Sequence, residues 1–245
     1  WLKRVRPERF SLCPRAGRWR RGLRAPMMHD QRSLMSLLHD NAPEDALLQC
    51  LIDDERGRDP SEDADDAAAH VRDNNWWTPL HWAAQDGHER LAAKLLTLHV
   101  SVNAADKCGA TPLMIAAFNG QIGVVDSLLQ DNTIDVHQGN NYLGTAVHYA
   151  AQRGNAIIIR MLVDRDAKVD PVDRHGDTPL GWAARGGHVD AVKILCDLGA
   201  DPEDDNNASE DALELAAEHG HVDIVEILEG VVDDLAKRRA AAQPA

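Results

Sequence analysis

The sequence predicts an all-α protein, a solenoid of stacked helix–turn–helix repeats with β-turn tips, and three observations predict it. The stretch Thr78-Pro79-Leu80-His81-Trp82-Ala83-Ala84 returns as Thr111-Pro112-Leu113-Met114-Ile115-Ala116-Ala117, as Thr145-Ala146-Val147-His148-Tyr149-Ala150-Ala151 and as Thr178-Pro179-Leu180-Gly181-Trp182-Ala183-Ala184. A worn copy, Asp211-Ala212-Leu213-Glu214-Leu215-Ala216-Ala217, closes the series. Successive copies begin 33, 34, 33 and 33 residues apart, and Gly87, Gly120, Gly154, Gly187 and Gly220 keep the same steps. A second apolar stripe follows each glycine, so every period supplies two helices that bury too little alone and must stack on their neighbours.

Residues 1–27 form a basic extension without a helical stripe. Lys3, Arg4, Arg6, Arg9, Arg15, Arg18, Arg20, Arg21 and Arg24 face the single acid Glu8, so residues 1–25 carry +8 and the remainder −22. This end reads as a mispredicted start or a disordered extension, with an organelle transit peptide or a basic arm as alternatives. From 28 to 52 two short apolar runs, Leu34/Leu37/Leu38 and Leu47/Leu48/Leu51/Ile52, flank Asn41-Ala42-Pro43. They read as a degenerate repeat capping the stack. Residues 53–72 read as an acidic loop; the calcium pattern of alternating Asp with a distal Glu is absent there.

The repeats then occupy 73–105, 106–139, 140–172 and 173–205, with a C-terminal capping repeat at 206–230 and a tail at 231–245. Thr78, Thr111, Thr145 and Thr178 stand where a side-chain oxygen caps the first helix, with Pro suited to the first helical position in three copies. Asp211 keeps the capping oxygen without the Pro. The paired alanines remove bulk so that neighbouring first helices approach closely, and the glycines end those helices in a left-handed conformation. Leu91/Leu95, Val124/Val125/Leu128, Ile158/Ile159/Leu162, Val192/Leu195 and Ile224/Val225/Leu228 give the second helices their buried stripe. The third copy departs from the rest, with Ala146-Val147 for Pro-Leu, one extra residue ahead of it, and Leu143-Gly144 where the turn glycine comes one place earlier. Residues 231–245 read as a short helical extension that then frays.

The motif T-P-L-H-x-A at this period resembles the ankyrin repeat family over roughly residues 73–230, which makes the fold an ankyrin-type helix-turn-helix repeat solenoid. The resemblance implies that His81 and His148 tie neighbouring turns together, and that His88, His188 and His221 sit at another structural position. Twelve histidines would otherwise invite a metal, but no clustered His/Cys spacing is present. Neither a phosphate-binding glycine loop nor a glycine-flanked serine elbow appears, so no catalytic site, cofactor or metal is expected. Cys13, Cys50, Cys108 and Cys196 are far apart and read as reduced thiols in a cytoplasmic protein, with the nucleus, or organelle import through the basic end, as alternatives.

The resemblance further implies non-catalytic protein binding on the concave surface, as an adaptor, scaffold or inhibitor, by a monomer. At the turn tips it places Asn74, Asn75, Trp77, Lys107, Cys108, Asn141, Tyr142, Arg174, His175 and Asp177. Along the first helices it places Gln85, Asp86, Phe118, Asn119, Gln152, Arg153 and Arg185. Trp77, Phe118 and Tyr142 are the sharpest candidates, because exposed aromatics beside Arg and amides compose interface hot spots; packing at the seam below the first clear repeat is the competing role for Trp77. Trp82 and Trp182 are expected to be packed. Two other functions are weighed: a regulatory segment of a larger enzyme or channel, and nucleic-acid binding through residues 3–24, which the acidic body opposes. Neither a small-molecule substrate nor membrane insertion is expected.

Overall fold

The computed structural model describes residues 34–57 and 71–242, and all regular secondary structure among them is helical. α1 (Leu34–His39) and α2 (Glu44–Gly57) precede five helix pairs. These are α3 (Pro79–Asp86) with α4 (Glu89–Thr97), α5 (Pro112–Asn119) with α6 (Ile122–Leu129), and α7 (Ala146–Gln152) with α8 (Ala156–Asp164). α9 (Pro179–Gly186) with α10 (Val189–Asp197), and α11 (Ala212–Glu218) with α12 (Val222–Ala242), complete the series. The first helices of the pairs touch one another in chain order, and so do the second helices, which makes two parallel rows. α1 rests on α3 and α2 on α4, so the N-terminal pair prolongs both rows.

The first row is thin because its contacts are alanines. Ala83, Ala84, Ala116, Ala117, Ala150, Ala151, Ala183 and Ala184 are all wholly buried. The second row contributes the larger side chains, among them Leu91, Leu95, Val125, Leu128, Ile159, Leu162, Val192 and Leu195, which join the alanines in one continuous core. Burying each such side chain contributes roughly 1.5–3 kcal/mol relative to exposure. The last pair breaks the pattern: Ala216 is buried while Ala217 is exposed, and among the described residues no further first-row helix packs on α11.

Caps start and stop the first-row helices. Thr111 Oγ1 accepts from the Met114 amide at 3.4 Å, Thr178 Oγ1 from the Gly181 amide at 3.2 Å, and Asp211 Oδ1 from the Glu214 amide at 2.7 Å. In the second to fifth copies the polar residue after the helix-ending glycine then reaches back to the preceding repeat. Gln121 Nε2 donates to the Gln85 carbonyl at 3.1 Å and Asn155 Nδ2 to that of Ala117 at 2.7 Å. His188 Nε2 does so to Gln152 at 2.8 Å and His221 Nε2 to Arg185 at 3.2 Å. These bonds satisfy carbonyls that a helix C-terminus leaves without partners.

Two elements run further than expected. α2 continues to Gly57, into the stretch read as acidic loop, and α12 continues unbroken to Ala242. Gly230 lies inside α12 without ending it, and the segment after it is rich in Ala, Lys and Arg, which are strong helix formers. Arg239 on that extension pairs with Glu203 and approaches Asp201 at 3.7 Å, tying it back to the loop before α11. The basic extension and the centre of the acidic loop lie outside the described residues. Cys50 and Cys196 are free thiols, and Cys13 lies outside the described residues.

Candidate interaction surface

The tips are built by one residue that the sequence reading left unremarked in most copies. Asp73, Asp106, Asn140, Asp173 and Asn206 each turn a side-chain oxygen inward to accept two backbone amides, two and four residues on. Asp106 Oδ1 accepts from Cys108 at 2.7 Å and Ala110 at 2.8 Å; Asn140 Oδ1 accepts from Tyr142 at 2.9 Å and Gly144 at 3.0 Å. Such Asx-type bonding folds the turn without help from elsewhere. Neighbouring tips are then joined by backbone bonds, Lys107 N–H to Asn75 at 3.1 Å, Asn141 N–H to Cys108 at 3.0 Å, Arg174 N–H to Tyr142 at 2.8 Å and Asn207 N–H to His175 at 2.9 Å. The signal was present as Asp or Asn five residues ahead of the capping Thr or Asp at every copy.

Turn geometry demands a left-handed residue three places after that Asp or Asn. Gly109 (φ 79°) and Gly176 (φ 77°) supply it in two tips, but Trp76 (φ 67°), Leu143 (φ 63°) and Ser209 (φ 58°) hold the same conformation with a side chain. Trp76 and Leu143 are 54% and 55% exposed, and Tyr142 beside Leu143 is 56% exposed. The third tip therefore carries two large apolar side chains into solvent on a backbone that disfavours one of them.

The histidines of the repeated motif are wholly consumed. The Thr78 amide donates to His81 Nδ1 at 3.1 Å, leaving Nε2 to donate to the Ala110 carbonyl at 3.2 Å. The Thr145 amide and the Asp177 carbonyl hold His148 likewise, at 3.2 and 3.1 Å. An acceptor Nδ1 and a donor Nε2 define the neutral ring. Burial pushes both imidazoles down to about 4, with the carbonyl bonds opposing it. Neither ring has a nitrogen left for a metal or a proton transfer, and the described residues contain no group of three metal-ligating side chains.

Aromatic rings pack together along the row of first helices. Tyr149 meets Phe118 edge-on at 6.2 Å and Trp182 at 5.7 Å, while its hydroxyl accepts from Asn140 Nδ2 at 2.6 Å. Burial holds the Tyr149 phenol up at about 12. Trp77 is half-buried, donates from Nε1 to Asp106 Oδ2 at 3.0 Å, and packs on Trp82 and His81 with centroids 5.0 and 5.9 Å away. Trp77 thus joins the first clear repeat to the second. Trp82 is half-buried in that cluster and Trp182 is buried.

The expected tip and helix residues fall into three groups. Asn74, Asn75, Lys107, Asn141, Tyr142, Arg153, Arg174 and His175 are exposed, with Asn141 also spending its side-chain amide on the Lys107 carbonyl. Gln85, Phe118, Arg185 and Trp77 are half-buried. Asp177 is not on the surface at all. It is 4% exposed, and its carboxylate receives both Arg185 nitrogens at 3.1 and 3.2 Å and Asn206 Nδ2 at 2.7 Å. Its position directly ahead of the capping Thr178 turns it into the stack rather than outward, and Arg185 is drawn in with it.

Stacked helical pairs with Asx-built tips and ring-nitrogen bonds between turns define a solenoid repeat protein. A family model described as ankyrin repeats matches residues 38–140 and 136–206, and the chain belongs to the ankyrin repeat family. Over 97 residues it is 33% identical to the human transient receptor potential cation channel subfamily A member 1, covering 39% of this chain and 9% of the channel subunit. It is 38% identical over 88 residues to a probable E3 ubiquitin-protein ligase of Oryza sativa subsp. japonica, covering 35% of this chain and 17% of the ligase. An ankyrin repeat-containing protein of Schizosaccharomyces pombe is 28% identical over 136 residues, 54% of this chain and 53% of that protein. The chain therefore spans about half or less of the length of these relatives. Among the described residues no helix is long and apolar enough to cross a membrane.

Proposed function

We propose that this protein is a non-catalytic adaptor, scaffold or inhibitor that holds a protein partner on its concave surface. The observation that carries this reading is how the polar groups are divided. Those with chemical potential are spent on the fold: both nitrogens of His81 and His148, the Asp177 carboxylate, and the inward oxygens of the turns. The side chains left outward at the tips and helix ends are Tyr142, Leu143, Lys107, Arg153 and Arg174, a mixture of aromatic, aliphatic and cationic groups suited to a protein interface. A photo-crosslinking residue at position 142 should trap a specific protein in native cells, while one at the exposed position 160 of α8 should not. Equal capture from both positions would remove the concave surface from the proposal.

A second reading, a regulatory segment within a larger protein, is favoured by the relatives, since a channel subunit and a ligase match only over a repeat region. Covalent continuity with such a protein would give the same surface an intramolecular partner. Sequencing the full transcript decides between the two.

A further inference from the structure

We infer that the partner segment seated on the middle of the concave surface is acidic: an extended stretch of protein bearing Asp and Glu side chains with apolar residues between them. This rests on the proposed binding role and names the chemistry of what is bound. Two guanidinium groups are presented there on aromatic rings. Arg153 at the end of α7 lies over Phe118, its Cζ 5.1 Å from the ring centroid, and Arg174 at the next tip lies over Tyr142 at 5.6 Å. Both arginines are exposed, and neither forms an ion pair among the described residues. Lys107, also exposed, adds a third cation one tip earlier.

The surrounding charge makes this arrangement unusual. Residues beyond the basic end carry −22, yet the acids of the central tips do not oppose these cations from the outside. Asp106 spends Oδ1 on the backbone and Oδ2 on the Trp77 indole. Asp173 spends Oδ1 on the amides of His175 and Asp177. Asp177 is buried against Arg185 and Asn206. The Asx turn that folds each tip thus turns carboxylates inward, and the next residues outward are Lys107 and Arg174. Glu218, at the end of α11 in the last pair, is exposed.

A guanidinium resting face-on against a ring keeps its in-plane N–H groups free, and those match a carboxylate bidentately. Stacking also lowers the entropy lost when the partner docks. The two guanidiniums rest on different rings in different elements, which suits separate carboxylates along an extended chain, whereas phosphate readers gather their arginines in one cluster. Tyr142 and Leu143 would meet the apolar residues between the acids. Nucleic acid is disfavoured because few cations stand on a strongly acidic body.

The test uses the full chain and two fluorescein-labelled peptide pools of equal length, one randomised among Asp, Glu, Leu, Tyr and Gly, the other with Lys and Arg replacing the acids. Fluorescence anisotropy should show binding of the acidic pool alone, weakening as salt is added. The double variant Arg153→Glu/Arg174→Glu, first shown to keep wild-type helicity and melting, should lose about 10-fold or more in affinity. Arg160→Glu on α8 should lose nothing. Arg153→Lys/Arg174→Lys should fall between, retaining charge without the planar fork. Equal binding of the basic pool, no binding of either pool, or undiminished acidic-pool binding by the Glu variant would each overturn the inference. Crosslinking from position 142 is independent of these pools, so a trapped partner without acidic preference would leave the concave binding site standing and remove only the charge assignment.

Discussion

At the residue scale, the buried histidines make stability depend on pH in a direction that can be worked out. His81 and His148 are neutral when folded, with values near 4, against 6.5 in an unfolded chain. Between those values the unfolded state binds more protons, so stability falls as pH drops from 6.5 toward 4 and is fully present above 6.5. Each ring contributes about 3 kcal/mol to that loss at its limit. Asp170 acts the other way, since burial raises its carboxyl from 3.8 to about 6, favouring the folded state as pH falls through 6. Urea unfolding at pH 7 and pH 5 should show lower stability at pH 5. His148→Gln should flatten the slope and Asp170→Asn should steepen it. Leu143 gives a second prediction at this scale. Relieving its left-handed backbone by Leu143→Gly should stabilise the fold by about 0.5–1 kcal/mol, the usual cost of that conformation less the added flexibility of glycine. The reverse change, Gly109→Ala, should destabilise, because its Cβ would stand 2.8 Å from the Asn141 amide nitrogen. Denaturation midpoints of both variants check the pair.

At the scale of elements, the Asp177–Arg185 pair joins α9 to the turn before it, and Asn206 carries the link to the next repeat. Asp177→Ala should cost about 3 kcal/mol, because it removes the buried carboxylate that both Arg185 nitrogens and Asn206 Nδ2 share. Arg185→Ala should destabilise too, since it strands a buried carboxylate, and a loss of partner binding in that variant would report folding rather than contact. Thermal melts of both should separate them from Arg153→Ala, which touches only the Phe118 ring and should melt near wild type. The same pair shows what the sequence made legible. The repeat period, the threonine caps and the alanine contacts could be read because each obeys a local rule that returns from copy to copy. The inward turn of Asp177 could not, because it depends on Arg185 eight residues later and on Asn206 in the following repeat. Trp77 was ambiguous for a similar reason: its indole is anchored by Asp106, one period away. In both cases the deciding partner sits in another repeat. α12 runs to Ala242, further than the short fraying extension expected over residues 231–245, because the residues flanking Gly230 favour helix.

At the scale of the whole molecule, a stack in which each repeat touches only its neighbours should open from its ends. The C-terminal end has the weaker closure. Ala217 occupies the position at which Ala84, Ala117, Ala151 and Ala184 are fully buried, yet it is exposed, and α11 carries the exposed acids Glu214 and Glu218. What holds this pair is narrow: Leu215 and Ala216 against α9, Ile224 and Leu228 in the core, and the surface pairing of Arg239 with Glu203. The N-terminal end is closed differently, with Leu34, Leu38, Leu47 and Leu51 buried over α3 and α4. Native-state hydrogen exchange should therefore show greatest protection in α5 and α7, which have neighbours on both sides, and least in α11 and the part of α12 beyond Gly230. Truncation after Gly230 keeps Ile224 and Leu228, the buried residues of α12 among those described, and gives up the exposed Arg239–Glu203 pairing, which as a surface ion pair contributes little, so it should shorten the helix and leave the melting midpoint nearly unchanged. Uniform protection across all five pairs would mean that the stack unfolds as one unit. In that case the coupling between repeats, carried by the tip-to-tip backbone bonds and the His148 and His81 ring bonds, is stronger than the exposed end suggests.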